Sequence, residues 1–172
     1  MDATDILIDL ARRPLQAAEY LRPALTGERL NAHPHHDNSI AWLLWHAARE
    51  IDEQLADLSG AEPVHLNGGF AERFGLSTGA HEHGYGHDSA QARAIVVTDA
   101  DLLLEYLGAV IEAQVAYVAA LAPSELDRIV DKGWDPPVTL AARLVSMSVD
   151  AAEHVAQAAY VAGMGAAAFE TA

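Results

Sequence analysis

The sequence predicts an all-α chain folded as an antiparallel four-helix bundle with long crossover loops, and three observations carry that expectation. Four stretches repeat apolar residues at helical spacing. Their ends carry caps and breakers: Ser39, Thr98 and Thr139 as N-caps, Pro123, Gly163 and Gly165 as stops. No stretch alternates strongly enough to build a sheet. At 172 residues the chain fits one domain, 1–172, large enough to bury a core without disulfide or metal staples.

The first helix is expected from about Ala3, with Ile6, Leu7, Leu10, Leu15, Ala18, Leu21 and Leu25 at helical spacing. Pro14 bends or restarts it, and it stops before Thr26 and Gly27. The polar segment GERLNAHPHHDNS reads as a loop. The second helix runs from about Ile40 to Leu58, with Ile40, Leu44, Ala47, Ile51, Leu55 and Leu58 facing inward and His46 beside that stripe.

Between Ser59 and Val97 the chain is rich in Gly and His, and only GGFAERFGL looks able to form a short helix. A loop this long in a compact domain is uncommon and often functional. Its cluster HEHGYGH, and HPHH before the second helix, have Gly and Pro neighbours that suggest mobile loops. Their histidines, His33, His35, His36, His81, His83 and His87, are therefore given no specific metal role. The third helix follows Thr98, with Asp99 and Asp101 in its first turn, and continues to about Leu121. One helical turn is expected at Ser124 to Leu126. Thr139 then opens the fourth helix.

This fourth helix is apolar on two faces, Leu140, Leu144, Met147, Ala151, Ala158 and Val161 on one, Val145, Val149, Ala152, Ala156 and Tyr160 on the other. A helix apolar on two sides is buried on two sides. The second face is expected to be covered by another copy of the chain, giving a homodimer through helix four.

A net charge of -15 argues against a nucleic-acid backbone or an anionic membrane as partner, since both reward clustered Lys and Arg. The opening MDATDILIDLARRP is acidic where a secretory signal is basic, and no apolar run is read as a membrane span, so a cytoplasmic location is expected. There is no cysteine, so a mechanism that needs a thiol must take it from outside.

Asp150 and His154, four residues apart, share one helix face, and His46 lies on a helix that can face theirs. Two imidazoles and a carboxylate suit Zn²⁺, or Ni²⁺, Fe²⁺ or Mn²⁺ with added waters, and three ligands with open positions is the pattern of a catalytic centre. A carboxylate buried there without a partner costs several kcal/mol, which an ion offsets. The competing reading pairs Asp150 with Arg143 and leaves His154 hydrogen-bonded in the core. There is no G-x-S-x-G elbow and no H-E-x-x-H motif.

The segments SIAWLLWHAAREIDEQLADL and PPVTLAARLVSMSVDAAEHVAQAAYVAGM resemble the second and fourth helices of the DinB-like superfamily of metal-binding four-helix proteins. EHVAQAAYVAG is similar to the H-x-x-Q-x-x-Y-x-x-G pattern frequent in actinobacterial members. The resemblance implies that His46, Asp150 and His154 are metal ligands. Many members place histidine where this chain has Asp150, whereas those resembling mycothiol-dependent maleylpyruvate isomerase, in its N-terminal domain, place an acidic residue there.

The implied function is a metal-dependent S-transferase in which mycothiol, bound as a metal-activated thiolate, attacks an electrophile in a detoxification reaction. The alternatives are a metal-dependent hydrolase and a non-catalytic, stress-associated metal-binding protein. On this reading Gln157 orients a ligand or the substrate, and Arg143 offsets charge near Asp150 or binds a carboxylate. Trp42 and Trp134 wall the site, while Arg73, in the loop with Phe70 and Phe74, clamps the substrate.

Overall fold

A computed structural model describes residues 2–170. Helix α1 (Ala3–Leu21) starts on a capping box in which Asp2 accepts from the Asp5 amide and Asp5 accepts from that of Asp2. Pro14 lies inside α1 on its buried face and does not end it. After a 3₁₀ turn at Arg22–Ala24, Thr26 caps a one-turn helix α2 (Gly27–Leu30), which is too short for hydrophobic periodicity to reveal.

Helix α3 (Ile40–Ser59) has Ser39 as N-cap, its hydroxyl accepting from the Trp42 amide, and Gly60 closes it at φ 72°. Every residue from Ile40 to Arg49 is buried. The expected one-sided stripe is therefore too narrow, because α3 is covered by two helices and by the crossover that follows it.

That crossover holds α4 (Val64–Asn67), α5 (Phe70–Phe74) and α6 (Ser89–Arg93), of which only α5 was legible. Helix α7 (Ala100–Ala119) is capped by Asp99, whose carboxylate accepts from the Leu102 amide, one residue beyond the expected Thr98. A 3₁₀ turn at Pro123–Asp127 leads to strand β1 (Ile129–Asp131), antiparallel to β2 (Val138–Thr139). Strands of three and two residues cannot display an alternation, so this hairpin lay outside what the sequence could show. Thr139 caps α8 (Leu140–Ala162) as expected.

The four long helices pack around one core, with α1 and α3 each touching both α7 and α8. Gln54 meets Arg143 while His46 meets His154, so α3 and α8 run antiparallel. Tyr106 reaches Asp52 and Tyr117 reaches the Leu58 carbonyl, so α3 and α7 run parallel. The long crossover carries the chain back to the starting end, and the bundle departs from the antiparallel arrangement expected of it.

By length and composition α7 is apolar enough to cross a membrane, at mean hydropathy 1.4, which the sequence reading did not register. Leu107, Val110 and Ile111 are nevertheless fully buried between α1 and α3, as in the core helix of a globular domain. On α8, the face of Leu140, Leu144, Met147, Ala151, Ala158 and Val161 is buried, whereas Val145, Val149 and Tyr160 of the second face are exposed.

Two buried side chains fasten the crossover to α3. The fully buried Arg49 donates from Nε to the Glu82 carbonyl at 2.9 Å and from Nη2 to the Ala80 carbonyl at 2.8 Å, and pairs with Glu53 at 2.7 Å. Asp52 accepts from the amides of Val64 and His65, each at 2.7 Å, and from the Tyr106 hydroxyl. The histidines of HEHGYGH are tied down as well, His81 to Glu53, His83 to Glu50, and His87 to both Trp42 and Glu82. The Gly and Pro neighbours suggest a loop without fixed partners, but most of its partners sit on α3, far away in sequence.

Candidate metal centre

Antiparallel packing of α3 on α8 brings His46, Asp150 and His154 together, with one ligand atom of each within 4.8 Å of the others. The His46 and His154 rings meet edge to face at 4.6 Å, and His154 Nε2 lies 3.7 Å from Asp150 Oδ1. Each imidazole has its other nitrogen engaged. His46 Nδ1 donates to the main-chain carbonyl of His83, and His154 Nδ1 lies 3.1 Å from Gln157 Oε1. An Nδ1–H held this way leaves the Nε2 lone pair free, the outer-shell arrangement typical of metal-binding histidines.

Burial pushes the pKa of His46 down to about 4, against the opposing effect of the His83 carbonyl, so its neutral, ligating form prevails at neutral pH. Trp42, 5% exposed, stacks on His46 at 4.4 Å and meets His154 edge-on at 6.2 Å, so it braces both imidazoles. Its Nε1 donates to His87 Nδ1 at 3.2 Å, with His87 Nε2 on Glu82. Gly84, at φ 100°, closes the loop against this stack. A Cβ there would lie 2.7 Å from His46 Nδ1.

The centre opens on a cleft of about 870 Å³, of the size that holds a small molecule. Arg143, Gln54 and Ser146 give it a polar flank, while the largely exposed Tyr85 and Trp134 stand at its mouth. Trp134 thus lines the cleft. Gln157 touches it only through His154 and faces an adjoining groove.

Two expectations change. Arg143 does not reach Asp150: it donates to Asp131 at 3.0 Å and to Gln54 at 3.2 Å, so the alternative pairing of Asp150 with Arg143 is not formed. Arg73 is not at the site. On α5 it pairs with Glu105 of α7 and lies over the Phe70 ring, while Phe70 packs inward against Tyr106. Its loop position said nothing about which way that loop turned.

Asp150 is also less buried than the sequence argument required, its side chain 42% exposed. The sequestered carboxylate is Glu50, at 14%, with Oε1 3.9 Å from His46 Nε2 and 2.7 Å from His83 Nδ1. Glu50 escaped sequence reasoning, and His83 was weighed there only among loop histidines given no specific metal role, yet it stands with His46 and Glu50 in a second group that could hold an ion. Glu50 at i+4 from His46 was the available signal, and His83 enters only through the folded crossover.

The sequence model of the DinB superfamily matches residues 10–158. A crystal structure of a conserved protein from Enterococcus faecalis is 31% identical, covering 94% of this chain and 96% of that one with a TM-score of 0.87. A search of curated proteins found no match.

Proposed function

The chain belongs to the DinB superfamily, and on that premise we propose that it is a cytoplasmic metal-dependent S-transferase joining an external low-molecular-weight thiol, mycothiol, to a small electrophile. The observation that carries this reading is the convergence of two tautomer-fixed imidazoles and a carboxylate at the wall of an open cleft. The donor set fits a divalent ion, with Zn²⁺ favoured by two histidines and one carboxylate. Such an ion, Zn²⁺ or alternatively Ni²⁺, Fe²⁺ or Mn²⁺, supplies a Lewis-acid position that depresses the pKa of a bound thiol.

The chain's own residues do the rest. His46 and His154 present Nε2, Asp150 contributes negative charge, and Gln157 keeps the His154 ring turned toward the centre. Trp42 excludes water from the side facing the core. Arg143 and Gln54, already linked to each other, offer polar contacts at the far end of the cleft, and Trp134 offers an aromatic surface at its mouth. With no cysteine in the chain, the thiol must arrive as a co-substrate.

Elemental analysis of untagged protein followed by a bimane conjugation assay with mycothiol, bacillithiol and glutathione tests the reading. About one ion per chain with conjugation only by mycothiol is expected. Bound metal without thiol activity would replace the transferase by a hydrolase or a non-catalytic metal-binding protein.

A further inference from the structure

We propose that the chain carries a second, alternative position for a divalent ion, built from His46 and Glu50 of α3 and His83 of the crossover, which the ion occupies in exchange for the position against α8. The inference rests on the metal-centre reading above, to which it is joined through His46, the one residue the two groups share. In the second group a ligand atom of each residue lies within 4.8 Å of the others, as in the first. Each group is two imidazoles and a carboxylate, a set that suits Zn²⁺.

Three observations carry it. On α3, His46 and Glu50 repeat the pairing of Asp150 and His154 on α8, an imidazole and a carboxylate four residues apart, with 3.9 Å from His46 Nε2 to Glu50 Oε1 against 3.7 Å from His154 Nε2 to Asp150 Oδ1. His83 Nδ1 lies 2.7 Å from the same Glu50 oxygen, and since donors around a tetrahedral zinc stand about 3.4 Å apart, the two separations at Glu50 straddle what an ion there requires. Next, the Glu50 side chain is sequestered, 14% exposed, and among the described residues its ion-pair partners are these two imidazoles, which carry charge only when protonated. A divalent ion supplies the missing countercharge. Finally, the third donor is held from behind: the fully buried Arg49 donates to the Glu82 carbonyl and His46 Nδ1 to that of His83, so α3 fixes the main chain that carries the His83 ring.

The same bond from His46 makes the two positions exclusive. With Nδ1 engaged, His46 has only Nε2 to give, and its one lone pair binds one ion. The ion therefore joins α3 either to α8 or to the crossover.

The test is calorimetric titration of metal-stripped, untagged protein with Zn²⁺, with the imidazole rings followed by NMR and the helix content of each variant checked by circular dichroism. The unmodified chain is expected to bind about one ion. Asp150→Asn/His154→Ala, which dismantles the first position, is expected still to bind about one ion, more weakly, with the ring signals of His46 and His83 shifted. Adding Glu50→Gln to that variant is expected to abolish binding, and so is adding His83→Phe.

If Asp150→Asn/His154→Ala binds no ion while the unmodified chain does, Glu50 and His83 only anchor the loop and the inference is overturned with the triad intact. It is overturned too if binding by that variant survives His83→Phe, because the ion then sits on other histidines such as those of HPHH, or if the unmodified chain takes two ions at once, because His46 is then not shared. If Glu50→Gln/His83→Phe binds nothing while Asp150→Asn/His154→Ala binds one ion, the group proposed here is the site and the triad is the reading that fails.

Discussion

Replacing Arg49 with methionine is the sharpest test of how the crossover is held. The guanidinium is fully buried and serves two loop carbonyls, Ala80 and Glu82, as well as the Glu53 carboxylate, and it lies 3.5 Å from Asp52. Methionine fills much of the volume and donates nothing. Breaking a buried charge pair from one side costs about 3–5 kcal/mol. Asp52 retains the Tyr106 hydroxyl and two amides, which places the expected loss near the lower end, about 3 kcal/mol.

For a chain of this length each kcal/mol moves the melting temperature by about 2–4 °C, so metal-free Arg49→Met should melt roughly 6–12 °C lower by circular dichroism. Amides of residues 80–87 should also exchange faster. The exposed Arg73 provides the comparison, since its pair with Glu105 is solvated and screened, and Arg73→Ala should barely move the transition. Equal melting temperatures for the two variants would refute the assignment of Arg49 as the fastening of the crossover.

Three more perturbations address other parts of the molecule. Gly84→Ala combines a strained φ of 100° with a Cβ driven into His46 Nδ1, and should lower metal affinity, measured by calorimetry, more than Gly86→Ala, whose Cβ meets nothing. His65 is buried and its pKa is pushed down to about 4, so its contribution to stability is present above its unfolded value near 6.5 and lost as pH falls toward 4. His65→Phe should therefore reduce proton uptake on unfolding at pH 5 by about one proton, seen as a flatter dependence of melting temperature on pH, and an unchanged slope would contradict this. We also propose that the exposed Val145, Val149 and Tyr160 form a homodimer face on α8. Sedimentation should then show a dimer that strengthens with salt, given the charge of -15 per chain, and that Val149→Glu dissociates; a monomer at every concentration removes the proposal.

What the sequence made legible is what depends on near neighbours along the chain. Ser39 and Thr139 declare their helices because a cap acts within three residues. Asp150 and His154 declare a shared face because four residues make about one helical turn, and His46 joined them on the assumption that α3 faces α8. The misreadings lie where partners are remote. Arg49 and Asp52 look like solvated helix charges until the crossover folds over them, and without them the Gly- and His-rich segment reads as mobile. Arg73 and Arg143 were placed by proximity in sequence, yet each finds its carboxylate on an element whose position depends on the tertiary fold, α7 for one and β1 for the other. The parallel run of α3 and α7 was equally hidden, because the length of a crossover does not say at which end of the bundle it finishes.

Because His46 is aimed by the main-chain oxygen of residue 83 and not by a side chain, that half of the centre depends on the loop's path and is indifferent to which amino acid stands at 83. Any residue offers a carbonyl, proline included. Inheritance can therefore rewrite position 83, and with it the partner of Glu50, without disturbing the aim of His46, whereas Gly84 next to it has no such freedom. Two adjacent positions in one loop are thereby open to opposite kinds of change, one altering what surrounds Glu50 and the other fixing where the His46 ring can lie.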